Sequence, residues 1–147
     1  MAELLFLALV FAPLLAPFVF VTAAVGLVLR ACLLLPGSGW RLPGVTTCAL
    51  AAVMGGSAAF GAYAWGVTRG FYLLDPDQLC TARGAQGDHI VTRGTLPVSA
   101  RCVTSDGAGT ELVPGWVNPV IFLGLTLFVL ALVAGTHARA RRRPSLG

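Results

Sequence analysis

The sequence predicts a membrane α-helical protein: three transmembrane helices, with a small disulfide-pinned extracytoplasmic cap (a short helix plus a β-hairpin) between helices two and three. Three observations carry this reading. Of 147 residues, 56% are hydrophobic and only 11% are charged, less than half the share of about 25% usual in soluble domains. Three long stretches contain no ionisable acid or base. The long connection between the second and third stretches holds two of the four cysteines and a run of turn signals. A chain this poor in polar residues cannot clothe a water-soluble globule. Disorder, a secreted soluble enzyme and a nucleic-acid-binding module are excluded, the last despite a net charge of +4 and a pI of about 9.3.

The first uncharged stretch runs from Leu4 to Leu29, the second from Val45 to Thr68 and the third from about Pro119 to Thr136. A hydrocarbon core of about 30 Å needs roughly 20 apolar residues of helix. A modest excess is absorbed by tilt, and a helix satisfies its own backbone groups where lipid cannot. The first stretch has a rival reading as a signal peptide with Val21-Thr22-Ala23 at the cleavage site. Against it, Met1-Ala2-Glu3 carries an acid and no base, and the apolar run far exceeds an h-region of roughly 7 to 15 residues. Pro13 and Pro17 stand four apart on one face of this helix and predict a static kink near its outer third.

In the second stretch, Ala51, Gly55, Ala58 or Ala59, Ala62 and Gly66 recur at spacings of three and four, with Ser57 and Gly61 as a further small pair. Lipid gives helices no hydrophobic reason to associate, so close approach through small residues is the usual device. This span is therefore read as the packing helix against both others, with a second copy of itself as a further candidate. Leu50, Val53, Phe60 and Val67 are assigned to lipid. The third stretch opens with Asn118 as the expected cap and Pro119 at the first helical position. Its body, Val120 to Val133, is large, apolar and expected to face lipid over most of its girth. Trp116 joins Trp65, Phe71 and Tyr72 as an aromatic belt at the outer interface.

Orientation follows from the arginines, which are the only basic residues apart from two histidines. Arg30 and Arg41 flank the short first connection, and Arg139, Arg141, Arg142 and Arg143 follow the third span. With three spans these groups share one side, which carries six arginines and no acid; the long connection is slightly acidic. Basic residues near span ends stay cytoplasmic. The expectation is a single membrane domain over residues 1–147 of a cell membrane, N-terminus and cap (about 70–117) outside, C-terminal tail (137–147) cytoplasmic. Cys80 and Cys102 then lie on the oxidising side, while Cys32 and Cys48 lie near the reducing face. A disulfide across the outer pair closes a loop of about twenty residues, worth roughly 3 kcal/mol; two unpaired thiols are the alternative.

Within the cap, Asp75-Pro76-Asp77-Gln78 reads as the start of a short helix through Cys80. Val98 to Thr104 reads as a strand, Ser105 to Gly109 as a turn and Thr110 to Val113 as a returning strand, with His89 to Arg93 as a third strand. So small a unit cannot bury a core alone, and a disulfide is the usual substitute.

Chemistry-bearing patterns are lacking. No C-x-x-C or histidine spacing marks a metal or thiol site, no glycine pattern marks a phosphate loop, and no acid, base or histidine lies within the spans to couple transport. No catalytic residue, cofactor or metal is assigned. The tail arginines Arg139, Arg141, Arg142 and Arg143 are candidates for contact with anionic lipid headgroups, at about 1 kcal/mol each, or with a partner. The leading expectation is a non-enzymatic interaction or accessory subunit that binds another membrane or envelope protein through its cap and small-residue helix. The alternatives are a holin-like or pore-forming oligomer and an accessory subunit of a transporter.

The segment Leu79-Cys80, Leu96 to Cys102, Asp106-Gly107 and Glu111 to Pro119 resembles that of small actinobacterial integral membrane proteins, over roughly the last half of the chain. An all-Arg, Ala/Gly/Val/Leu-heavy usage agrees with a high-GC genome. The resemblance implies a bacterial plasma membrane and carries no activity with it.

Overall fold

The computed structural model describes residues 2–34, 43–69, 76–85, 87 and 89–141. In chain order they form α1 (Ala2–Leu34), α2 (Val45–Thr68), α3 (Pro76–Ala82), β1 (His89–Arg93), β2 (Ser99–Val103), β3 (Gly109–Glu111) and α4 (Val117–Arg141). Three of these helices, α1 over Phe11–Leu33, α2 and α4, are long and apolar enough to cross a membrane. Two outrun the uncharged stretches that predict them. The 33 residues of α1 measure about 50 Å at 1.5 Å per residue, so the helix exceeds a 30 Å hydrocarbon core. It runs unbroken through Pro13 and Pro17. Three hydroxyls of the long helices are satisfied inside their own helix: Thr22 donates to the Phe18 carbonyl at 2.9 Å, Ser57 to Met54 at 3.0 Å and Thr126 to Phe122 at 2.8 Å, as a lipid surround would demand.

The central helix is α2, which packs against α1 on one side and α4 on the other, while α1 and α4 make no comparable contact with each other. Its seam with α4 is built from Cys48, Ala52, Gly55, Ala59, Ala62 and Gly66, all buried and alternating in steps of four and three. The facing residues on α4 are Val117, Ile121, Gly124 and Ala131, also buried. The antiparallel register pairs Gly66 with Val117 at one end and Cys48 with Gly135 at the other. At the crossing the two backbones nearly touch. A Cβ on Gly55 would stand 2.7 Å from the Gly124 carbonyl oxygen, and one on Gly124 would stand 2.7 Å from that of Gly55. Glycine is therefore obligatory at both positions without a shift of one helix. The opposite seam brings Gly61 against Ala16 of α1, where a Cβ would lie 2.6 Å from the alanine methyl.

The cap is a three-stranded antiparallel sheet, order β1-β2-β3, with the hairpin of β2 and β3 joined by His89–Arg93, the segment expected as a third strand. Cys80 of α3 and Cys102 of the middle strand are joined by a disulfide, with Cα atoms 6.0 Å apart. The short helix stops in a Schellman arrangement: Ala85 N–H donates to the Cys80 carbonyl and Gly84 N–H to that of Thr81, both at 2.9 Å. Gly84 sits at φ +68°, a left-handed conformation that costs glycine nothing. Ala85 folds back onto the disulfide, and Cys80, Ala85 and Cys102 form one small buried cluster with Ile90 and Leu112 against it.

A second cluster spans the boundary between cap and helices. Val98, Ala100 and Val113 from the cap pack with Ala62 of α2 and Val117 and Ile121 of α4. Sheet and helices thus share one core, and the cap does not have to bury one by itself.

Candidate functional site

The cap-to-helix junction is the most elaborately built part of the molecule, and polar groups fix it as well as apolar ones. Asn118, expected as the helix cap, instead lies inside α4, which begins at Val117. Its side-chain amide pairs with the backbone of Val98: Oδ1 accepts the Val98 N–H at 2.8 Å, and Nδ2 donates to the Val98 carbonyl at 2.9 Å. The primary amide thereby substitutes for a strand neighbour just before β2. Twenty residues separate the partners, beyond the reach of any local capping rule. From α2, the Tyr63 hydroxyl donates to the Gly94 carbonyl at 3.0 Å, anchoring the β1–β2 connection.

Pleating sorts the cap residues into two faces. Val98, Ala100 and Cys102 point inward and are buried. On the other face the register sets Arg93 opposite Ser99, Val91 opposite Arg101, and Arg101 opposite Glu111. Glu111 organises this face. It accepts hydrogen bonds from Ser99 Oγ at 2.8 Å, from the Ala100 N–H at 2.8 Å and from Arg101 Nε at 2.9 Å. Partial burial pushes its carboxyl upward, but the Arg101 guanidinium and the hydrogen bonds from Ala100, Ser99 and Val113 outweigh it and hold the pKa below the usual 4.5. Beside it lies a recess of about 390 Å³ whose lining includes Val91, Arg93, Arg101, Glu111, Pro114 and Asn118. Two guanidinium groups and one carboxylate, with apolar walls between them, suit contact with a polar protein segment.

A different recess opens between the helices themselves. Because α1 and α4 flank α2 without closing on each other, a groove of about 380 Å³ remains on the cap side of the bundle, walled by Pro13, Pro17 and Phe20 of α1 and by Trp116 and Val120 at the start of α4. Ser57, Ala58, Gly61 and Trp65 of α2 form its floor. The two prolines thus border this groove, on the face of α1 toward α2.

The residues singled out from sequence are distributed as follows. Gly55, Ala59, Ala62 and Gly66 are buried, while Ala51 is half-buried. Ala52 and Cys48 continue the seam in its place, because the step from Ala59 to Gly55 is four and the next must be three. Val53 and Phe60 face outward as expected. Leu50 instead packs toward Gly26 of α1, and Val67 packs against the shared core. On α4, Phe122, Leu123, Val129, Leu130 and Val133 face outward. Trp65 and Trp116 border the same groove, and the Arg69 guanidinium lies 4.4 Å from the Trp65 ring centroid. Arg139 and Arg141 are exposed at the end of α4. Phe71, Tyr72, Arg41, Arg142 and Arg143 lie outside the described residues, as does Asp75.

Four contributors escape a reading by local pattern: Gly124, Tyr63, Asn118 as a cross-link, and Glu111. Only Gly124 carries a signal, as a small residue in the Val117, Ile121, Gly124, Ala131 series, whose steps are four, three and seven. Among the described residues no three His, Cys, Asp or Glu side chains converge as a metal site would require. No family model, no curated protein and no solved structure matches the chain.

Proposed function

We propose that this protein is a multi-pass membrane protein that acts without catalysis, as an interaction or accessory subunit displaying its cap to a membrane or envelope protein. One observation carries the reading: the cap is fastened to the helices by the Asn118–Val98 amide pair, the Tyr63–Gly94 hydrogen bond and a shared core. A passive linker needs none of these, whereas a docking surface must be held in a fixed orientation. The outward face of the sheet, with Arg93, Arg101 and Glu111, is the proposed contact surface. The small residues of α2 are occupied by α1 and α4, so the docking role falls to the cap.

The proposed orientation places the cap and N-terminus outside and the arginine tail inside, beside anionic headgroups. The Cys80–Cys102 disulfide favours an oxidising side for the cap, and the arginine distribution favours the opposite side for the tail.

The test is a photo-crosslinker at Val91, activated in intact membranes and followed by mass spectrometry. A single dominant heterologous partner is the expected result. Self-adducts alone, or no adduct, would overturn the reading. Liposomes holding the protein alone should stay tight to dye; leakage would favour the pore-forming alternative.

A further inference from the structure

We propose that the groove between α1 and α4 is a binding site for one anionic phospholipid, with an acyl chain lying over Ala58 and Gly61 and the phosphate held by Arg69. The groove lies within the spans and opens sideways, where lipid is the solvent. Its lining is almost wholly apolar, and Ser57, the one hydroxyl in its floor, already donates to the Met54 carbonyl. Apart from the indole N–H groups of Trp65 and Trp116, a polar ligand would find no partner there.

Between Ser57 and Trp65 the groove follows α2 for about 12 Å and offers about 380 Å³, a narrow apolar trough that a segment of acyl chain lying along the helix can fill.

Charge identifies the headgroup. At the cap end the groove passes between Trp65 and Trp116, and one turn further along, Arg69 is held over the Trp65 ring. Arg69 does not line the groove itself; the ring contact holds its guanidinium on Trp65, which does. Among the described residues the only ion pair is Arg101–Glu111, so no described carboxylate neutralises Arg69. A phosphodiester is the anion that a membrane supplies at this depth, and guanidinium binds it through paired N–H donors.

The experiment is native mass spectrometry of the whole chain in detergent, titrated with dioleoyl phosphatidylglycerol or dioleoyl phosphatidylcholine. One phosphatidylglycerol per protein should be retained, in preference to phosphatidylcholine. Arg69→Gln should weaken phosphatidylglycerol by about tenfold, the worth of one charge-assisted contact, while Arg93→Gln in the cap should not. Ala58→Phe, which fills the groove from its floor, should abolish retention of both lipids. Val120→Phe fills it from the wall and serves if the first variant misfolds. Equal retention of the two lipids by the unaltered protein, indifference to Arg69→Gln, or a protein dimer in place of the lipid adduct would each overturn the proposal. A failure here leaves the docking role of the cap standing, since that is read by crosslinking at Val91.

Discussion

Asn118 gives the cap a backbone partner that the short sheet lacks at that point. A primary amide offers one donor and one acceptor in nearly the geometry of a peptide group, and Val98 uses both. Asn118→Leu would leave a half-buried N–H and carbonyl unpaired, at a cost of about 1–3 kcal/mol. The expected readouts are a lower melting temperature and faster hydrogen exchange at the Val98 amide; unchanged exchange would show that the pair is not needed. Glu111 predicts a pH dependence. Its folded pKa lies below 4.5, so its contribution is complete above the ordinary carboxylate value and is lost as pH falls through the lowered one. Exchange at the Ala100 amide should therefore accelerate, beyond its intrinsic pH dependence, as pH falls below the ordinary carboxylate range. Glu111→Gln should flatten that response. Neither role was legible locally, because Asn before a helix is read first as a cap and a strand glutamate as solvated. Asn118 acts on Val98, and Glu111 on Ser99, Ala100 and Arg101 as well as on nearby Val113, so most partners lie ten or more positions away.

Helix α2 shows what an element-level pattern contains. Its small residues were legible as a packing face because Gly and Ala at steps of three and four are conspicuous in a lipid-facing composition. Which neighbour each would meet was not, since two helices compete for one cylinder. The α4 seam takes Cys48, Ala52, Gly55, Ala59, Ala62 and Gly66, and Gly61 serves α1. Gly124→Leu, and equally Gly55→Leu, is expected to force the helices apart at their closest approach and to destabilise by about 1–3 kcal/mol or more. Val53→Leu on the outward face should change little. Thermal unfolding in detergent checks both, and tolerance of Gly124→Leu would mean that the crossing is not tight. The short helix α3 was legible from its Asp-Pro start. Its end was equally available from Thr81-Ala-Arg-Gly84-Ala85, where Gly84 supplies the left-handed stop.

For the whole molecule, the proposed orientation makes a direct prediction. A cysteine at Asp106, in the β2–β3 turn, should react with a membrane-impermeant maleimide on intact cells, and one at Arg139 only after permeabilisation. The reverse pattern would invert the topology. Non-reducing peptide mapping should recover Cys80 joined to Cys102 and leave Cys32 and Cys48 free. The number of long apolar helices, the existence of the cap and the choice of its cysteines were determined by the sequence alone, because each follows from properties read along the chain: uncharged length and spacing. The meeting of Gly55 with Gly124, the Asn118–Val98 pair, the core shared by cap and helices and the open groove beside Trp65 were decided only by the tertiary structure. Each depends on the three-dimensional register of segments distant in sequence, and no local pattern encodes which faces will meet.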